Sequence, residues 1–112
     1  MIDKRSSTRR NRRLQLRYGP DEPHRIGFTC DLSSRGFFIQ TALVVRPGTL
    51  LEIEIVLPEE IPVRLRGRVQ WAKKVPPNLL SKVRKGGMGI RIIDFVSGQE
   101  AYLRYCEELE TV

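Results

Sequence analysis

The stretch "LLEIEIVL", residues 50–57, sets Leu51, Ile53, Ile55 and Leu57 at alternate positions with Glu52 and Glu54 between them. A period of two with one apolar and one charged face predicts a half-buried strand. "VRLRGRVQW", residues 63–71, repeats the pattern after a turn spanning Pro58 to Pro62. Its alternation predicts Val63, Leu65, Val69 and Trp71 on one side and Arg64, Arg66, Arg68 and Gln70 on the other. The two strands read as an antiparallel hairpin, in which Glu52 and Glu54 meet Arg64, Arg66 and Arg68 as cross-strand charge pairs. Upstream, "LQLRY" aligns Leu14, Leu16 and Tyr18 before Gly19-Pro20 breaks the run, and a second strand covers His24 to Cys30. Gly36 opens a third, "FFIQT", and the Arg46-Pro47-Gly48-Thr49 turn leads into the hairpin. A long loop, "VPPNLLSKVRKGG" (75–87), separates the hairpin from a last strand, "MGIRIIDF".

The C-terminal segment changes period. Tyr102, Tyr105, Cys106 and Leu109 fall at i, i+3, i+4 and i+7, predicting a helix over about 98–110 with one apolar face. Ser97 followed by Glu100 predicts a capping box at its start. About six strands joined by short turns, then one helix, predict a mainly all-β fold: a six-stranded antiparallel barrel, closed so that no sheet edge is exposed, with the helix lying on it.

Length and charge refine this picture. At 112 residues the chain suits one domain. Seven basic residues against Asp3 alone occupy positions 1–17, whereas the other 95 residues carry 13 basic and 12 acidic groups, so nearly all of the net charge of +7 sits at one end. Residues 1–12 therefore read as a flexible basic arm and 13–112 as the barrel domain. The partner of such an arm is an anion: a phosphate, a nucleic acid, an acidic protein or a lipid headgroup. No apolar stretch is long enough to span a bilayer and the N-terminus lacks the apolar core of a signal peptide, so no membrane insertion is expected and the expected location is cytoplasmic.

Catalytic chemistry finds little to work with. Cys30 and Cys106 lack metal-ligand spacing and read as reduced thiols. With His24 as the single histidine, no base or second ligand is available for a nucleophilic or metal site, and no GxxxxGK[ST] loop appears. The expectation is a binding protein without catalytic residues, metal or cofactor.

The polar stretch "TCDLSSRGFFIQT", residues 29–41, is the second place where an anion or a base could be held. Asp31, at a strand end, can accept two parallel N–H bonds from a guanidinium or a guanine edge. Ser33 and Ser34 suit phosphate oxygens or base edges, and Gly36 allows positive φ or close approach to the backbone. The same residues also suit a self-contained turn, in which Asp31 and Ser33 bond only to their own loop. In the arm, Arg9 and Arg13 stand four apart, about 13 Å in an extended chain, and could clamp a bulky dianion or meet guanine bidentately. Arg5/Arg9 and Arg13/Arg17 share that spacing, and the pair Arg9/Arg13 is favoured because Arg13 immediately precedes the first strand, which would anchor its backbone.

Together, RxxxR at Arg9 and Arg13 and [D/N]xSxxG at Asp31, Ser33 and Gly36 resemble the motifs of the PilZ domain, a bacterial receptor module for cyclic di-GMP. "GRVQW" and "GMGIRIIDF" are similar to that family's later strands, and its six-stranded antiparallel barrel with a C-terminal helix agrees with the element order. The resemblance implies that Arg9 and Arg13 hold phosphates and guanines from the arm, that Asp31 and Ser33 hydrogen-bond the ligand from the barrel, and that Gly36 leaves room. Arg10, Ser34, Arg35 and Trp71 are weaker candidates, Trp71 as an apolar wall to a guanine or else as a core residue. An arm that wraps over its ligand and signals to a downstream protein is the implied mode of action, with Thr8 before Arg9 leaving open one ligand or an intercalated pair. Two other readings stand beside it: a small barrel binding RNA or DNA through the arm, against which the few aromatic residues count, and an interaction module of the same fold that binds no nucleotide.

Overall fold

The computed structural model describes residues 13–74 and 86–110. Among them, six strands, β1 (Gln15–Gly19), β2 (Arg25–Cys30), β3 (Gly36–Gln40), β4 (Leu50–Leu57), β5 (Ile61–Lys73) and β6 (Gly87–Ser97), precede one helix, α1 (Gln99–Glu110). The strands close into a barrel in the order β1-β2-β3-β6-β5-β4, with every neighbouring pair antiparallel. β1 pairs with β4 to complete the ring, which satisfies the backbone groups that an open sheet would expose.

Alternation fills the interior as the sequence predicts. Leu16 and Tyr18, Phe37 and Ile39, Leu51, Ile53, Ile55 and Leu57, Val63, Leu65 and Val69, and Met88 and Ile90 all point inward and are buried. Tyr18 buries a hydroxyl with them, and that group donates to the Leu43 carbonyl at 2.7 Å and shares a 2.8 Å bond with Thr41 Oγ1, tying the β3–β4 connection to the barrel. α1 lays Tyr102, Cys106 and Leu109 on the core, with Tyr105 half-buried beside them. The Tyr102 ring sits 5.6 Å from Phe95 and 6.5 Å from Phe37.

On the outer face, the β4–β5 register sets Glu52 opposite Arg66 and Glu54 opposite Arg64. Arg66 takes Glu52 at 3.0 Å and also reaches Asp94 on β6 at 3.4 Å, so one guanidinium spans three strands. Arg68 turns to the Gly48 carbonyl instead, at 3.1 Å. These arginines belong to the solvated sheet face, where exposed pairs contribute little to stability.

Two local expectations are corrected. Trp71 does not share the inward side with Val69, because the register passes from Val69↔Ile90 to Trp71↔Gly89 and leaves Gln70 as an extra residue on β5. One inserted residue reverses the pleat beyond it, and Trp71 emerges 51% exposed. The capping box is replaced as well: Ser97 ends β6, Gly98 turns with φ +80°, and the Tyr102 amide makes its 2.9 Å bond to the Gly98 carbonyl. The helix therefore starts at Gln99, off a left-handed glycine.

At Gly36 the barrel wall closes without room for a side chain. A Cβ there would stand 2.0 Å from the Ile90 carbonyl oxygen on β6. Gly36→Ala is therefore expected to push β3 from β6 and to lower unfolding free energy by about 1–3 kcal/mol. A urea midpoint unchanged from wild type would contradict this packing.

Candidate functional site

β2 carries the usual alternation turned inside out. Its inward residues are Gly27 and Thr29, while Ile26, Phe28 and Cys30 point outward. The interior has no space beside Gly27, where a Cβ would lie 2.7 Å from Ile39 Cγ2. Small residues inside and apolar residues outside give the barrel an apolar outer surface at this place, and the neighbouring strands extend it. The registers Cys30↔Phe38, Phe38↔Gly89 and Gly89↔Trp71 form one row across β2, β3, β6 and β5. Trp71 lies flat on Gly89, where a Cβ would come within 2.3 Å of the indole Nε1, and it stacks on Phe38 at 5.4 Å with 30° between the rings. The next row sets Gln15 opposite Phe28 and Phe28 opposite Gln40.

The start of β1 brings a cation to this face. Thr29 is wholly buried, and its Oγ1 accepts the Leu14 amide at 2.9 Å while its own amide donates to the Leu14 carbonyl at 2.9 Å. A threonine hydroxyl in the barrel wall thus fixes where the chain enters it. The register carries Arg13 to the level of Cys30, the residue before Asp31 in sequence. Arg13 folds across β2: its guanidinium carbon is 4.2 Å from the centroid of the Phe28 ring, and Nη1 donates to Gln40 Oε1 at 2.8 Å.

The loop after β2 is built on Ser33. Its Oγ accepts the Arg35 and Gly36 amides at 3.2 Å each and donates to the Gly36 carbonyl at 3.1 Å, while the Ser33 amide donates to the same carbonyl at 2.9 Å. Ser33 therefore shapes the loop from within. Two bonds to residues distant in sequence hold the loop in place: the Ile92 amide donates to the Arg35 carbonyl at 2.8 Å, and the buried Tyr102 hydroxyl donates to the Ser33 carbonyl at 2.7 Å. Asp31 enters the loop with φ +51°, exposed and without a partner among the described residues. Ser34 and Arg35 are exposed too, and Ser34 lines an open groove of about 450 Å³ on the helix side with Glu100, Leu103, Arg104, Cys106 and Glu107.

Of the residues proposed from sequence, Arg13 and Trp71 open onto the outer surface around β2, β3, β6 and β5, Asp31 is exposed just after β2, Ser33 organises the loop, and the side of Gly36 that a Cβ would occupy faces β6. Arg9 and Arg10 lie outside the described residues. Sequence reasoning missed Phe28, Gln40 and Tyr102. For Phe28 a signal existed in "RIGFTC", where the bulky apolar residues alternate with Gly27 and Thr29 and cannot share the inward side with them. Gln40 and Tyr102 gave none, because their roles come from contacts 27 and 69 positions away along the chain.

Tyr102 provides a test of the loop's support. Burial pushes its hydroxyl well above the ordinary value of 10, with Cys106 adding to the effect. A raised folded-state value means that this stability is whole below pH 10 and is lost as pH rises beyond it, because the unfolded chain ionises first. Wild type should lose about 1.4 kcal/mol per pH unit above 10 for each such tyrosine. Tyr102→Phe should cost about 1–2 kcal/mol at neutral pH by leaving the Ser33 carbonyl unsatisfied, and its alkaline limb should be shallower in urea melts between about pH 8 and 11. An alkaline limb as steep as wild type's would contradict the assignment.

A family model described as "PilZ domain" matches residues 3–108. Among solved structures, the Bacillus subtilis inhibitor of motility (MotI/DgrA) is similar with a TM-score of 0.72 at 22% identity, over 98% of this chain and 52% of that one. The chain thus spans about half the length of that protein, and a likeness at this identity speaks for the fold. No match was found among the curated proteins.

Proposed function

The chain belongs to the PilZ domain family, and on that footing we propose that it is a receptor for cyclic di-GMP, which it binds on the outer barrel face beside the Asp31 loop. Proteins of this family are binding and adaptor modules, and the reading assigns this chain no catalytic step. The observation that supports it is the mix of chemistries exposed on the outer barrel face and in the loop after β2: the Arg13 guanidinium, the Phe38–Trp71 stack, and an Asp31 carboxylate with no partner among the described residues.

Each part answers one feature of the ligand. A cyclic dinucleotide has two phosphates, which favour guanidinium groups, and two guanines, whose N1–H and N2–H edge suits a carboxylate such as Asp31. The exposed Trp71 ring offers a face to a base, as aromatic side chains do for nucleobases generally. In this reading Arg9 comes from the N-terminal arm to hold the ligand with Arg13, with Arg10 and Arg35 as further cations at the rim and Ser34 as a small donor. Ser33 and Gly36 act through the loop's shape and its seat on β6. Bringing the arm over the ligand changes the surface that a downstream protein meets, and that change is the output. Among the described residues, no helix is long and apolar enough to cross a membrane, and the proposed site of action is the cytoplasm.

Isothermal titration tests the proposal. Wild type should bind cyclic di-GMP with micromolar or tighter affinity, and Arg13→Ala and Asp31→Ala should each weaken binding by about tenfold or more, as loss of a charge-assisted bond does. A short polynucleotide titrated in parallel should give no saturable heat. Absence of heat with cyclic di-GMP for the folded wild-type protein rejects the receptor reading; strong, salt-sensitive polynucleotide binding would point to the nucleic-acid alternative.

A further inference from the structure

Arg13 has a defined position on the barrel, and two residues outside the family's motifs put it there. Phe28 and Gln40 are directly paired across β2 and β3 and both face outward. The guanidinium carbon lies over the Phe28 ring, 4.2 Å from its centroid, and Nη1 donates to Gln40 Oε1 at 2.8 Å. The Gln40 oxygen also lies 3.9 Å from the Cys30 thiol, which donates to it weakly. The guanidinium thus has an aromatic ring on one side, while Arg13 as a whole is exposed.

We propose that Phe28 and Gln40 are positioning residues for the ligand site: they hold Arg13 flat on the barrel so that its open face stacks on a guanine base and its remaining N–H groups reach a phosphate. The inference rests on the cyclic di-GMP reading and deepens it by giving Arg13 a planar as well as an electrostatic task. An arginine side chain loses much rotational freedom when it is fixed, and holding it beforehand removes that loss from the binding step. A guanidinium sandwiched between Phe28 and a purine uses both of its faces, which the point charge of an ammonium group does not do. The outward placement of an aromatic residue on β2, next to an inward glycine, has a use on this account.

The test is a double-mutant cycle in the full chain, read by titration with cyclic di-GMP. Phe28→Leu and Gln40→Ala should each weaken binding about three- to tenfold, the range of an exposed cation–π contact or a single hydrogen bond. Neither substitution removes a charge, so the slope of affinity against salt concentration should match wild type, whereas Arg13→Ala should reduce it. In the Arg13→Ala background, Phe28→Leu should have no further effect, because its only route to the ligand is gone. Phe28→Tyr keeps the ring face and should bind as wild type does.

A second measurement needs no ligand. The Phe28 ring current should shift the Arg13 side-chain proton resonances upfield in the free protein, and Phe28→Leu should abolish the shift. Equal loss of affinity from Phe28→Leu with and without Arg13, or wild-type affinity in both single variants, overturns the inference while leaving the receptor reading intact. A wild-type protein that shows the ring-current shift but gives no heat overturns the receptor reading, and the ligand role inferred for Phe28 and Gln40 falls with it. A free protein without the shift overturns the arrangement itself.

Discussion

The seam where β6 lies between β3 and β5 is the constraint on which the rest of the molecule depends. Six strands enclose a narrow interior, and at this seam the backbones and the outer aromatic rings come too close for ordinary side chains. Gly36 faces the Ile90 carbonyl and Gly89 lies under the Trp71 ring. The seam also holds the register shift that leaves Gln70 unpaired on β5. Without that shift Trp71 would compete with Val69 and Ile90 for the core; with it, the indole becomes part of the outer surface.

The outer apolar face is a consequence of how the inside is filled. Tyr18 and Ile39 take the space next to β2, so β2 contributes Gly27 and Thr29 inward and must carry its large residues outward. Thr29 then has a second effect, because its buried hydroxyl bonds to the Leu14 amide and fixes where the chain enters the barrel. The same strand therefore sets the surface and the point from which Arg13 reaches over it. Fold and candidate site are coupled here through one buried hydroxyl rather than through a cavity.

The loop beside that face is stiff for a connecting segment. Ser33 closes it from inside, Arg35 joins it to β6, and Tyr102 joins it to α1. A ligand that engages Asp31 would thus bear on a loop already connected to the C-terminal helix. The groove along the helix side, with Ser34 at its edge, is next to this connection and separate from the row of aromatic residues.

Much of this architecture was legible from period alone. The strand alternations in "LLEIEIVL" and "VRLRGRVQW", the turn residues between strands, and the i, i+3, i+4, i+7 face from Tyr102 to Leu109 are local signals, and each led to the element found. At Asp31, Ser33 and Gly36 residue type left two readings open, contact with a ligand or a self-contained turn, and Ser33 closes its own loop as the turn reading has it. The direction of Trp71, the cap of α1 at Gly98 in place of a capping box, and the contacts of Arg13 with Phe28 and Gln40 were not legible. A period of two says that neighbours face opposite ways, but an extra residue on one strand reverses the sequence of faces, and only the partner strand reveals it. A side chain's hydrogen-bond partner, likewise, depends on which strands become neighbours, and that is settled when the barrel closes.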